Sequence, residues 1–118
     1  MSKGTFYNWN DLPQVDMGPG IKRRFVSGEK VMSVQFVLEK GAVVNKHEHP
    51  HEQITHVLSG KLEFTVGGET QIMTSGDVLH IPSNLPHSAV ALEETLNLEI
   101  FSPPREDFLT DEIPDYMK

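Results

Sequence analysis

Between residues 21 and 102 every apolar or alternating run is short and is closed by a turn signal. Ile21–Val26 stops at Ser27-Gly28, Val31–Leu38 at Lys40-Gly41, and Ile54–Leu58 at Ser59-Gly60. Leu62, Phe64 and Val66 alternate with Lys61, Glu63 and Thr65 before Gly67-Gly68, which reads as a hairpin. Gln71–Thr74 ends at Ser75-Gly76, Val78–Ile81 at Pro82, and Thr95–Phe101 just before Pro103-Pro104. No stretch holds the helical apolar period for more than about two turns. Punctuation this dense predicts an all-β sandwich or barrel, not strands alternating with helices.

The chain has 118 residues, which suits one domain with a core of its own. Residues 1–20 read as an arm in which Phe6, Tyr7 and Trp9 form a short strand or an apolar clip. Residues 21–104 read as the β-barrel, and 105–118 as a turn followed by an acidic tail whose last residues are loose. Pro104–Leu109 suits one helical turn. The first ten residues lack the apolar centre of a signal peptide, and no apolar run is long enough to span a bilayer, so a cytoplasmic protein with no membrane partner is expected. Seventeen acidic residues against ten basic ones give a net charge of −7, which argues against nucleic acid as a partner. Lys22-Arg23-Arg24 is one short basic cluster.

There is no cysteine, so any metal must be held by nitrogen or oxygen. Six histidines are present, and four fall within residues 47–56. In extended chain, residues two apart share a face, which makes His47, His49, His51 and Gln53 candidates for one surface. Two imidazoles spaced this way can converge on one metal, and His87, on a later strand, is the candidate that would complete the set. His51 can back the ligands or line a pocket. His56 lies on the face of Ile54 and Leu58 and His80 on that of Val78, which suits packing or an interface; Glu48 and Glu52 read as solvated charges.

The spacing extends beyond the histidines. Gly41, His47-x-His49, Gln53 and Gly60 form one pattern, and Gly76, Pro82 and His87 a second. Together they resemble the two motifs of the cupin superfamily, with Gln53 in the place of the usual glutamate and Ala91 in that of an asparagine. The resemblance implies a double-stranded β-helix, or jelly-roll barrel. It also implies one divalent transition metal (nickel, zinc, iron or manganese) held by His47, His49, Gln53 and His87. Four neutral ligands would leave a divalent ion its full charge and favour an anionic ligand in the open positions.

His47-Glu-His-Pro-His-Glu-Gln-Ile54 and Leu96-Asn-Leu-Glu-Ile-Phe-Ser-Pro-Pro-Arg105-Glu-Asp-Phe108 are similar to the KdgF group of small cupins. That group acts in pectin and alginate breakdown and converts 4,5-unsaturated uronates to linear keto forms. The resemblance implies that Glu99 and Arg105 are catalytic and that Phe101 and His51 line the substrate pocket. Glu99 stands where the group usually has aspartate. The expected partner is a small anionic sugar or another carboxylate, and a homodimer is expected, with Phe6–Trp9 as a contact. Two other functions use the same pocket: binding of an anionic sugar without turnover, and oxygenase or lyase chemistry on a different carboxylate.

Overall fold

The computed structural model describes residues 3–118. Ten strands follow in chain order: β1 (Val15–Gly18), β2 (Ile21–Ser27), β3 (Met32–Leu38), β4 (Val43–His47) and β5 (Glu52–Ser59) come first. They are followed by β6 (Lys61–Val66), β7 (Glu69–Thr74), β8 (Val78–Ile81), β9 (His87–Ala91) and β10 (Thr95–Ser102). One four-residue helix, α1 (Glu106–Leu109), and two 3-10 turns complete the chain. The strands pair in two antiparallel sheets, β1-β2-β3-β10-β5-β8 and β4-β9-β6-β7. β1-β2-β3 and β6-β7 are consecutive, but β3-β10, β10-β5, β5-β8, β4-β9 and β9-β6 join strands remote in sequence, because the chain crosses repeatedly from one sheet to the other, as in a jelly roll.

Alternation sets which residues face inward. In β3, Met32, Val34, Phe36 and Leu38 are buried while Ser33, Gln35 and Val37 are partly exposed. Val57, Leu62, Phe64, Ile81 and Phe101 join them from other strands to form one core. β4, β5, β9 and β10 bring His47, Gln53, His87 and Glu99 to the same interior.

Gly60 makes the corner where the chain leaves one sheet for the other. Its φ is +94°, and a Cβ there would lie 2.2 Å from the Glu94 carbonyl oxygen and 2.7 Å from Thr95 Cα. A side chain would therefore be strained both by conformation and by overlap. Gly60→Ala is expected to destabilise the fold by on the order of 2–3 kcal/mol, read as a lower urea midpoint.

The two ends differ from the sequence expectation. Phe6 is fully exposed, Tyr7 is exposed, and neither lies in a strand; Trp9–Asp11 is a 3-10 turn whose first amides are capped by Asn8. The strand lies later, at β1, where Met17 is completely buried. The last residues are not loose. Asp115–Met117 form a 3-10 turn, and Met117 is buried against the barrel. Strand alternation divides the basic cluster Lys22-Arg23-Arg24, leaving Lys22 exposed and Arg23 buried. Arg23 is 1 % exposed and donates to Met17 Sδ, Phe108 O and Asp111 Oδ1, which ties α1 to the sheet.

Candidate metal centre

β4 and β9 pair with His47 opposite His87, which brings residues forty positions apart into contact. Their rings lie 4.2 Å apart, centroid to centroid. His49 is not on a strand. The chain bends through residues 48–51 between β4 and β5, and this bend turns the His49 ring back toward the other two, 5.6 Å from His47 and 4.9 Å from His87. One nitrogen from each of the three rings lies within 4.8 Å of the others.

Hydrogen bonds show which nitrogens these are. Nδ1 of His47 faces Asn45 O at 2.7 Å, Nδ1 of His49 faces His51 O at 3.0 Å, and Nδ1 of His87 faces Leu85 O at 2.8 Å. A carbonyl only accepts, so each Nδ1 carries the proton and each Nε2 presents a lone pair. This is the arrangement that metal-binding imidazoles need. His87 Nε2 is buried with no hydrogen-bond partner among the described residues. Burial also keeps the rings neutral: it lowers His47 to about 3 and His49 to about 4, and it lowers His87 as well.

Gln53 sits on β5 opposite Phe101 of β10, and Thr55 sits opposite Glu99. The Gln53 amide nitrogen donates to Thr55 Oγ1 at 2.9 Å and to the Glu99 carboxylate. Its oxygen therefore points the other way and lies 3.1 Å from His49 Nε2. Two lone pairs facing each other at that distance repel unless a cation lies between them. The orphaned His87 nitrogen and this acceptor pair make the four side chains a good fit for one nitrogen- and oxygen-preferring divalent ion.

Glu99 lines the cavity beside the histidines and also accepts from Thr55 Oγ1 at 3.0 Å. Burial pushes its carboxyl up to about 7, against the opposing pull of the Thr55 hydrogen bond and the Arg105 charge. Arg105, just before α1, is 4 % exposed and lines the same cavity. Asp107 holds it through Nε at 3.1 Å and Nη2 at 2.9 Å, and Nη2 also donates to the Tyr116 hydroxyl. The guanidinium lies over the rings of Phe101, Phe108 and Tyr116. Burial works against its charge, but Tyr116 and Asp107 outweigh that and raise its pKa. Phe101 is 2 % exposed and serves as both core residue and cavity wall.

His51 departs from the expectation. Its ring does not line the cavity; it lies beside His49, and its Nε2 is 3.2 Å from Glu106 Oε2. The alternation argument assumed one continuous strand through residues 47–53, whereas the chain bends at Pro50-His51. His51 meets the centre through its backbone oxygen, which orients His49. His80 pairs with Glu52 at the surface, at 2.6 Å, and both side chains stay exposed to solvent.

Two cavity residues were missed from sequence. Asn97 is 3 % exposed, and its Oδ1 has no partner among the described residues. The alternation of Thr95, Asn97, Glu99 and Phe101 could have found it, since Glu99 and Phe101 share its parity. Tyr116 stacks on His47 with centroids 3.6 Å apart and planes 5° from parallel. Only the adjacent pair Tyr116-Met117 at the end of an acidic tail hinted at it.

Neutral buried imidazoles have a consequence for metal-free protein. Their folded pKa values lie below the unfolded 6.5, so the unfolded chain binds more protons as the medium becomes acidic. Stability present above pH 6.5 is then lost as pH falls from about 6.5 toward 3, by on the order of several kcal/mol. Glu99 acts in the opposite sense. Its folded value of about 7 exceeds the unfolded 4.5, so its stabilisation is present at low pH and is lost as pH rises through that interval. Urea midpoints of the metal-free protein should therefore fall from pH 7 to pH 4.5, and fall more steeply for Glu99→Gln. A flat profile would contradict the burial argument.

Comparison with known proteins places this geometry in context. A cupin domain model matches residues 34–102. The pectin degradation protein KdgF of Dickeya dadantii (strain 3937) is 36 % identical over 103 residues, covering 85 % of this chain and 94 % of that protein. The structure of KdgF from Halomonas sp. aligns with a TM-score of 0.86 at 34 % identity, covering 90 % of this chain and 99 % of that one. An RmlC-like cupin from Shewanella frigidimarina NCIMB 400 also gives a TM-score of 0.86, at 31 % identity over 90 % of this chain and 96 % of that one. No helix among the described residues is long and apolar enough to cross a membrane.

Proposed function

The chain belongs to the cupin family, and on that premise we propose that it is a metal-dependent enzyme that opens 4,5-unsaturated uronate monosaccharides to their linear keto forms. The observation that carries the reading is one cavity lined by His47, His87, Gln53, Glu99 and Arg105 together. Similarity to two KdgF proteins supports it.

In this reading His47, His49, Gln53 and His87 hold one divalent ion. The bound ion would supply Lewis acidity toward the oxygens of the sugar acid. Arg105 receives the carboxylate, using the planar fork that suits that group. Glu99 accepts the proton of the anomeric hydroxyl as the bond between the anomeric carbon and the ring oxygen breaks. The electron pair of that bond stays on the ring oxygen, leaving an aldehyde and the enolate of the adjacent alkene. Returning the proton to the alkene carbon gives the ketone, so the step is an isomerisation with no net change in atoms. Phe101 walls the site and keeps Arg105 over an apolar surface.

The test is direct. Metal-loaded protein added to an unsaturated galacturonate should abolish the conjugated alkene absorbance faster than the spontaneous rate, and chelator should remove the excess. Absorbance falling at the spontaneous rate in both samples would reject the reading.

A further inference from the structure

The C-terminal segment forms part of the wall of the cavity beside the histidines. With it in place, the cavity beside the histidines is about 30 Å³. That holds roughly two water molecules, whereas small-ligand sites are on the order of 300–1,000 Å³. Tyr116 and Met117 are part of its wall. Tyr116 covers one face of His47, and its hydroxyl accepts from the Arg105 nitrogen. That nitrogen is one of the donors an incoming carboxylate would use.

The attachment of this segment is uneven. As far as Asp111 it is anchored from the barrel, since buried Arg23 bonds Phe108 O at 3.0 Å and Asp111 Oδ1 at 2.7 Å. Glu112 N–H still bonds back to Asp107 O at 2.9 Å. Beyond it, the backbone hydrogen bonds are local: Met117 N–H to Pro114 O and Lys118 N–H to Asp115 O. Glu112, Ile113 and Asp115 are exposed. The turn is thus held to the barrel by the side chains of Tyr116 and Met117 and by the close approach of Met117 O to Gly18, where a Cβ would lie 1.8 Å away. Asp111, at φ 57°, marks the point where the anchored part ends.

We propose that Pro114–Met117 is a displaceable plug of the metal cavity, in which Tyr116 occupies the Arg105 seat until an anionic ligand takes it. The segment swings about residues 111–113 and leaves α1 in place. A bulky carboxylate gains Arg105 only in the open form, so its apparent affinity is lowered by the fraction of molecules that are closed. The plug also shields the histidines from small competing anions and chelators. The inference rests on the tail geometry; only the choice of a uronate as the probe anion depends on the proposed function.

Two measurements test it without turnover. The chain has two tyrosines, and Tyr7 is exposed, so 3-fluorotyrosine labelling gives one plug signal and one exposed reference. Sodium D-galacturonate, a saturated sugar acid, should move the Tyr116 fluorine resonance toward that of Tyr7. A Tyr116 resonance that stays in place at high galacturonate overturns the plug. In cobalt-loaded protein, Tyr116→Ala should raise the rate at which EDTA strips the metal by on the order of tenfold, while exposed Ile72→Ala on β7 should not. Equal stripping rates for wild type and Tyr116→Ala also overturn it. Failure of the alkene assay with both of these shifts present would reject the uronate reading and leave the plug standing.

Discussion

Replacing His87 with alanine is expected to cost the protein its metal. The three Nε2 atoms have no substitute nearby, and removing even an outer partner of a ligand typically weakens a site by about 10–100-fold. Loss of a ligand itself should weaken binding by at least roughly 10²-fold, and turnover should vanish with it. Folding in the absence of metal should weaken by on the order of 1–3 kcal/mol. The change removes a buried nitrogen that has no partner among the described residues, which offsets only part of the packing lost against Phe64 and the His47 ring and of the Nδ1–H bond to Leu85 O. Equilibrium dialysis of His87→Ala against cobalt, with a urea titration of the metal-free forms, separates the two effects. Wild-type metal content in the variant would remove His87 from the site.

His87 was among the residues most readable from sequence. A glycine, a proline and a histidine at fixed spacing mark the turn, the stop and the return of one strand. Backbone pairing then places His87 opposite His47 whatever the intervening side chains are. The all-β class was legible for a similar reason, since the breakers fall between strands that the structure contains. Of the two roles expected of His51, its contacts favour backing a ligand over lining the pocket, because a period-two argument fails once the chain leaves the strand after His47.

β10 shows a different limit. Leu96, Leu98 and Ile100 look like the inward row of TLNLEIF, yet they are partly exposed, and Thr95 and Asn97 are buried. A barrel that encloses a polar site inverts the usual apolar-inside pattern along its lining strand. Only the presence of Glu99 and Phe101 on one face suggested that inversion. Tyr116 had no local signal beyond the apolar pair Tyr116-Met117 in an acidic tail. Its place depends on Arg23 fixing α1 across the sheet and on Arg105 waiting in the cavity. Both are buried cations; the Arg23 partners lie at the far end of the chain, while Arg105 is held by its own segment through Asp107 and Tyr116.

Glu99→Gln should separate chemistry from metal binding. Glutamine has the same shape, and its side-chain oxygen can still accept from Thr55 Oγ1 and the Gln53 amide. The Gln53 oxygen therefore stays directed at His49, and metal content should match wild type. What is lost is a carboxyl that can take up and return a proton. Its pKa of about 7 lies near the working pH, where general acid–base transfer is most effective. Turnover should fall by about 10²–10⁴-fold. Glu99→Asp is the complementary case. It keeps the acid but withdraws it from Gln53 and Thr55, so activity should fall less than in the glutamine variant, while metal binding should weaken because only Thr55 Oγ1 still holds the Gln53 amide. If Glu99→Gln turns over at the wild-type rate, the proton passes through another group, and Glu99 serves only to orient Gln53.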